Sequence, residues 1–540
     1  MRKSTAKLVS LLVIMMMVFV SFAGCGSTEE GATETPATDS STGTESTETE
    51  EKDVYPLEGD RTITYWTGGW VHADFPTQGD THLMQEKMKR TGVEVEFIHQ
   101  TGADAFSLLV ASGDLPDVFG YRFTNFPGGP TAALEQGVVM EMNEHFEKWA
   151  PNLMQIYADN PEWDKLVKTD DGQYYNFPFI RGDDYLTVFV GPQARKDWLD
   201  DLNLSEPETI DEWYTVLKAF KEEKGATAPL TFEYSILRSS DAFVGAYDAS
   251  FEYFINSEGE VEFGSVREGF RDFTRTLAKW YEEGLLDQDI ATVDRDQVAA
   301  RMTTGVSGAA VGHTGSRMGA WLTAASDVEN YDLVGLRYPT LNKGETAMFG
   351  QRQHPYFGQG IGVTSKARDV EAAVRFFDYG YGEEGHMLYN FGIEGKSYEM
   401  IDGYPTYTDY VLQNEEGKSP AQMLRGYTQS VFNGPLVQDR RYMEQYAQYD
   451  QQKNAIETWM QTNGGDHNMP AVTYTSEESN AIGAIMSEIY DYRDEIFFRA
   501  VLGDIDIDSE WDNYIRSLDR MGLQDVLAVQ QDALDRYNNR

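Results

Sequence analysis

A single cysteine in 540 residues, at position 25, is the strongest constraint on what this chain can fold into. One thiol closes no intrachain disulfide, so the fold must be held by burial and hydrogen bonding alone. The residues before it point to export, into a compartment where disulfides would be permitted. Arg2, Lys3 and Lys7 form a positive n-region, residues 8–20 are almost entirely apolar, and the small-residue stretch Phe22-Ala23-Gly24-Cys25 follows. That order reads as a secretory signal, shorter than the roughly 20 apolar residues of a comfortable membrane span.

Residues 26–53 (GSTEEGATETPATDSSTGTESTETEEKD) contain no large apolar side chain. They cannot bury surface, so a disordered, self-repelling tether is expected, with its ends roughly 30 Å apart as a flexible coil. Almost five hundred residues remain, enough for two or more domains. Acids outnumber bases 89 to 44, a formal charge of −45 spread along the whole chain. Nucleic-acid binding is thereby excluded, since it needs a basic surface. Docking of the body on an anionic membrane is equally disfavoured.

Residues 61–66 (RTITYW) alternate β-branched and aromatic side chains and predict a strand. Residues 81–90 have helical spacing, 93–98 predict a second strand, 106–111 a short helix and 117–119 a third strand. This order predicts an α/β lobe with a mostly parallel sheet. Further helices are expected at 211–223, 265–283, 295–303, 369–381, 476–493 and 509–521, with Ser476 close to a capping-box start.

Cys25, following Ala-Gly at the end of the apolar run, resembles the lipobox of bacterial lipoproteins, which implies an acylated thiol at the head of the mature chain. Seven further stretches, in order, resemble family 1 extracellular solute-binding proteins of carbohydrate ABC importers, in particular the large lipoprotein subgroup of Gram-positive bacteria. They are 113–118 (GDLPDV), 134–143 (LEQGVVMEMN), 171–178 (DGQYYNFP), 195–200 (RKDWLD), 209–213 (TIDEW), 280–286 (WYEEGLL) and 363–377 (VTSKARDVEAAVRFF). The resemblance implies a two-lobed periplasmic-binding-protein-like α/β fold, each lobe a mostly parallel sheet flanked by helices. Hinge crossovers join the lobes and ligand binds between them. The expected division is 1–24 signal, 25–53 lipidated cysteine and tether, 54–180 plus 357–415 lobe 1, and 181–356 plus 416–540 lobe 2. It further implies a monomer anchored by lipid on the outer face of the cell membrane, with ABC permease subunits as partners.

Some members carry a calcium loop after the helix that begins at the DEW motif. Here residues 221–229 (KEEKGATAP) lack the alternating oxygen ligands calcium needs, so no metal is carried over. Residues 504–510 (DIDIDSE) begin like an EF-hand loop, but Ser509 stands where Gly is required and Ile515 where Glu is. An acidic entry to the helix that follows is the simpler reading. No cofactor is expected.

Sugars offer flat C–H faces to aromatic rings and hydroxyls to polar groups, so the candidate ligand contacts combine both. Trp66 and Trp70 flank a Gly-Gly loop at the C-terminal end of the first strand, where open α/β sheets bind ligands. Tyr121 and Arg122 follow the third strand, at a place where the resemblance implies sugar contact. Arg181 falls at the expected first crossover, and Glu233 and Tyr234 in a loop that the resemblance implies faces ligand. His313 and Arg317 follow a strand within a Gly-rich loop that leaves backbone open to approach. Arg352, His354 and Tyr356 precede the return crossover at 357–361. If Arg181, Arg317 and Arg352 converge, the pocket favours an anionic sugar such as a uronate. The sequence carries no HExxH, GxSxG, P-loop or Rossmann fingerprint, and no enzymatic activity is expected. A secreted carbohydrate-active enzyme, a ligand-sensing lipoprotein and a peptide-binding importer component remain open as alternatives.

Overall fold

The alternation around Ile63 is realised in strand β1 (Arg61–Thr67), where Ile63 and Tyr65 enter one core and Trp66 another on the opposite face. The strands β2 (Val93–His99) and β3 (Val118–Arg122) run parallel on either side of β1, with Val93 opposite Arg61 and Phe119 opposite Trp66. Helices His82–Thr91 and Ala105–Ser112 make the connections, as the sequence spacing predicted. This computed structural model describes residues 54–68, 72, 74–100, 102, 104–414, 418, 420–429 and 434–540. The expected signal, Cys25, the tether and Trp70 lie outside the described residues. Among the described residues no helix is long and apolar enough to cross a membrane.

The remaining strands are β4 (Phe177–Arg181), β5 (Val190–Arg195), β6 (Leu230–Thr231), β7 (Tyr253–Ile255), β8 (Val261–Phe263), β9 (Ala309–His313), β10 (Leu333–Gly335), β11 (Gln359–Val363), β12 (Tyr398–Ile401), β13 (Tyr404–Tyr407) and β14 (Leu436–Gln438). They form two principal sheets, in the orders β14-β4-β11-β3-β1-β2 and β10-β5-β9-β6, while β7-β8 and β12-β13 are separate pairs. In the first sheet β1-β2, β1-β3 and β4-β14 are parallel, and β11 is antiparallel to both its neighbours. The second sheet is mixed where a mostly parallel one was expected. Only β6-β9 is parallel, and β5 runs antiparallel to β9 and β10. The reason is that β5 enters this sheet from the first one, with no helical crossover to set its direction.

Each sheet carries its own core. Around the first lie Ile63, Phe177, Phe179, Ile361 and Phe377, and around the second Trp213, Trp280, Trp321 and Trp459, each with at most 3% of its surface exposed. Truncating one such ring costs about 3–5 kcal/mol, which is how a body without disulfides is held. Helix Ile210–Glu223 starts at a capping box, the Thr209 hydroxyl accepting from the Glu212 amide and the Glu212 carboxylate from that of Thr209. In helix Ser476–Val501 the same device uses Thr475 with Glu478, one residue before the expected Ser476.

Among the described residues, three segments that follow strands of one sheet lead to the other sheet. The chain runs from β4 into β5, returns from β10 to β11, and leaves β14 for helix Asp450–Trp459. That helix packs on the second sheet, where the Trp459 indole donates to the Pro192 carbonyl at 3.1 Å. The expected division gave 416–540 to the second lobe, yet β14 belongs to the first sheet and Ala533, Leu534 and Tyr537 of the last helix (Leu523–Asn538) lie in the first core. A three-residue strand and a helix that serves two cores leave too short a pattern to assign from sequence.

The GDLPDV turn is anchored by Asp117, 2% exposed at the foot of β3. Its carboxylate accepts from the Thr64 amide and hydroxyl and from the Arg368 amide and guanidinium, at 2.7 Å in each case. Burial alone would raise the Asp117 pKa, but the bonds from Arg368 and Thr64 outweigh it and hold the carboxyl well below the usual range. A lowered carboxyl pKa stabilises the fold above the ordinary carboxylate range and loses that contribution as the pH falls below it. Asp117→Asn is expected to lower the unfolding free energy by about 2–3 kcal/mol, measured by urea denaturation at pH 7. An unchanged midpoint would remove this anchor from the account.

Candidate functional site

Arg122 ends β3 and pairs in register with Gln359 of β11, so the chain just before β11 folds back over it. Gly358 makes that reversal possible. It has φ 94°, its carbonyl accepts from the Phe123 amide at 2.8 Å, and a Cβ there would lie 2.6 Å from Thr124. Phe357 is thereby set beside Arg122, whose guanidinium carbon is 5.2 Å from the ring centroid and whose Nε donates to the Phe357 carbonyl at 3.2 Å.

Arg181 ends β4 opposite Gln438 of β14. Its Nη1 donates to Gln438 Oε1 at 3.2 Å, its Nε to Gln353 Oε1 at 3.1 Å, and its backbone amide to the Pro355 carbonyl at 2.9 Å. The guanidinium carbon lies 4.8, 5.4 and 5.9 Å from the Phe189, Phe179 and Phe357 centroids. Burial lowers its pKa to about 10, which leaves it charged at neutral pH. Aromatic faces and amide oxygens take the place of water around it.

Phe189 carries the run into the second sheet. Val190 pairs with His313, the Thr314 amide donates to the Phe189 carbonyl at 2.9 Å, and the Phe189 and His313 rings stack at 5.8 Å and 16°. Beyond β9 the chain forms a wide helical turn, Thr314–Gly319, that carries Arg317. This side chain, 6% exposed, donates through Nε and Nη2 to Glu233 at the start of helix Tyr234–Ser240. Burial, with the neighbouring Arg317 charge, lowers the His313 pKa to about 4, so the imidazole is neutral at pH 7. Its Nδ1 is buried without a hydrogen-bond partner among the described residues.

The structure therefore joins Arg122, Arg181, His313, Arg317 and Glu233 into one run from the first sheet to the second, through Phe357 and Phe189. Phe189, Gln353 and Gln438 had no distinguishing signal in the sequence. Other expected residues lie elsewhere. Trp66 is 4% exposed, packs on Phe106 and donates to Gln100 at 3.1 Å. Tyr356 is fully buried, its hydroxyl bonded to Tyr175 and Asn176. Tyr234 packs on Phe497 and Phe498 and donates to Asp494. Trp66 and Tyr356 sit in the cores and Tyr234 is half-buried against one, because large rings gain most by burial. Tyr121 is half-buried, stacked on Phe106 at 3.7 Å. Arg352 pairs with Asp184 at 3.0 Å and His354 approaches the Asn468 carbonyl at 3.3 Å; both line a cavity of about 310 Å³ at the crossovers. Arg317 and Arg352 are thus each paired with a carboxylate, Glu233 and Asp184, while Arg181 is held by the amides of Gln353 and Gln438. Asp508, from the EF-hand-like stretch, pairs with Arg275 and Arg271.

The groups in this run donate and accept hydrogen bonds and present ring faces, the repertoire of recognition of a polar solute. A sequence profile described as bacterial extracellular solute-binding protein matches residues 74–387. The fructooligosaccharide ABC transporter substrate-binding protein FusA of Streptococcus pneumoniae is 24% identical over 528 residues, covering 89% of this chain and 92% of its own. The polygalacturonan/rhamnogalacturonan-binding protein YtcQ of Bacillus subtilis is 20% identical, covering 83% and 86%. Among solved structures, that of the alginate-binding protein AlgQ2 without calcium ion aligns with a TM-score of 0.72 at 26% identity, over 89% of this chain and 99% of that one.

Because the folded His313 binds its proton less tightly than the unfolded residue, whose pKa is about 6.5, the unfolded chain takes up the extra proton first. Stability is expected to fall as the pH drops from about 6.5 to 4, by up to roughly 3 kcal/mol from this group. His313→Gln should flatten that part of the melting-temperature profile, and NMR titration should place the wild-type imidazole near pH 4. A titration near 6.5 would contradict the buried, neutral assignment.

Proposed function

The chain belongs to the bacterial extracellular solute-binding protein family, and on that premise we propose that it captures an oligosaccharide between its two lobes and delivers it to an ABC importer. The observation that carries this reading is the run from Arg122 through Phe357, Arg181, Phe189 and His313 to Arg317 and Glu233. It joins strand ends of both sheets at the points where the chain crosses between them. Aromatic faces alternate there with guanidinium, imidazole and carboxylate groups, which suits a ligand with apolar C–H faces and many hydroxyls. The full-length likeness to FusA and YtcQ, whose names record oligosaccharide and polysaccharide ligands, supports the same class.

Capture here is binding without turnover. Ligand that touches groups from both sheets favours the closed arrangement of the lobes by the difference between its affinities for the closed and open forms, and by no more. The body acts as a monomer at the outer face of the cell membrane, held by lipid on Cys25 and by the tether of residues 26–53, with permease subunits receiving the closed form.

Thermal unfolding of residues 54–540 against mono-, oligo- and uronic saccharides tests this. A saturable stabilisation is expected, worth about 2.7 kcal/mol at a ligand concentration a hundredfold above Kd. The recovered saccharide should be unchanged by chromatography, and Phe189→Ala should weaken the stabilisation. Cleaved saccharide would replace binding with catalysis, and no stabilisation by any saccharide would remove the carbohydrate reading.

A further inference from the structure

Arg122 and Arg181 stand near one ring, Phe357, their guanidinium carbons 5.2 and 5.9 Å from its centroid. Neither meets a carboxylate among the described residues. Arg122 gives only its Nε, to the Thr124 hydroxyl and the Phe357 carbonyl. Arg181 gives Nε and Nη1 to the neutral amides of Gln353 and Gln438. Both terminal nitrogens of Arg122, and Nη2 of Arg181, make no hydrogen bond to the described residues.

This is unusual company in a chain with 89 acids and 44 bases. Carboxylates are abundant, and the other arginines of the candidate site have one each, Glu233 for Arg317 and Asp184 for Arg352. For Arg181, part-buried among aromatic rings, a guanidinium without a counter-ion costs several kcal/mol, unless the counter-ion arrives from outside, while Arg122 stays exposed and open to an incoming ligand. The planar fork of arginine matches a carboxylate with two parallel hydrogen bonds, and the free nitrogens of Arg122 form such a fork.

We propose that the two guanidiniums receive carboxylate groups of an acidic oligosaccharide, a chain containing uronate units. This rests on the carbohydrate-capture reading above and names the substrate class within it. The net charge of −45 opposes such a ligand at long range, but that repulsion is screened beyond about 8 Å at physiological ionic strength. Contact with the arginines acts inside that distance. A uronate held by Arg181 would also touch the group that bonds to both of the other crossing segments, so that its binding is felt at the hinge.

The test is titration calorimetry of the whole body with oligomers of galacturonate and of alginate uronates, each beside its carboxyl-reduced counterpart, together with neutral fructo-oligosaccharides. Reduction keeps the ring and hydroxyls and removes only the charge. The acidic form of at least one oligomer is expected to bind about tenfold more tightly than its reduced form. Arg181→Gln and Arg122→Gln should each bring the ratio of acidic-form to reduced-form affinity close to one, whatever each does to the affinity for the reduced form. Arg122 is exposed at a strand end, so its variant reports on recognition even if Arg181→Gln disturbs the crossovers. Equal affinity for acidic and reduced forms, or an unchanged preference in Arg122→Gln, would overturn the proposal. Binding of neutral saccharides with uronates ignored would overturn it and leave carbohydrate capture standing. No binding of any saccharide would overturn both.

Discussion

One guanidinium touches all three segments that lead from strands of one sheet to the other. Arg181 closes β4 at the start of the first crossover, its Nε reaches Gln353 in the second, and its Nη1 reaches Gln438 at the start of the third. The partners are neutral amides and only the donor is charged, so each bond contributes about 1.5–3 kcal/mol, less than a buried ion pair resists on being broken. Such bonds hold the crossing segments in register without fixing a single geometry, as a hinge that must absorb a change of backbone angle requires. The Phe179, Phe189 and Phe357 rings stabilise the charge whichever amide it holds.

The rigidity that a hinge works against comes from the two cores. With its only cysteine at position 25, the body relies on aromatic burial, and the tryptophans show how that is divided. Trp213, Trp280, Trp321 and Trp459 all lie in the core around the second sheet. The core of the first sheet combines phenylalanine and tyrosine rings from strands and helices with aliphatic side chains such as Ile63, Leu153 and Val363. Strand β8 and the last helix contribute to both, Phe263 and Val526 to one core and Val261 and Leu534 to the other. Two bodies of this kind, joined by three crossing segments and by these two shared elements, can move against each other at less cost than either can deform.

Much of this could be read in the sequence, and the limit is physical. The strands β1, β2 and β3 and the helices between them were legible because each is long enough to show its period. The start of helix Ser476–Val501 was legible to within one residue because a capping box is a local device. β14 was not, since Leu436–Gln438 is three residues long and owes its place to β4. The crossover position of Arg181 could be inferred, but the ion pairs that neutralise Arg317 and Arg352 could not. Glu233 lies 84 residues from Arg317, and nothing local announces the pairing. Trp66, Tyr234 and Tyr356 were placed at the cleft by position, whereas each ring is held in or against a core by neighbours distant in sequence. The part of the candidate site that reasoning missed, Phe189 with Gln353 and Gln438, consists of residue types with no chemistry of their own to mark them.

The central claim is that a saccharide closes two lobes about these crossovers. Small-angle X-ray scattering of residues 54–540, with and without a saccharide whose binding is verified calorimetrically in the same sample, tests it most directly. A saturable fall in the radius of gyration, tracking occupancy, is the expected result. Full occupancy with an unchanged scattering curve would contradict closure and leave a rigid binding surface in its place.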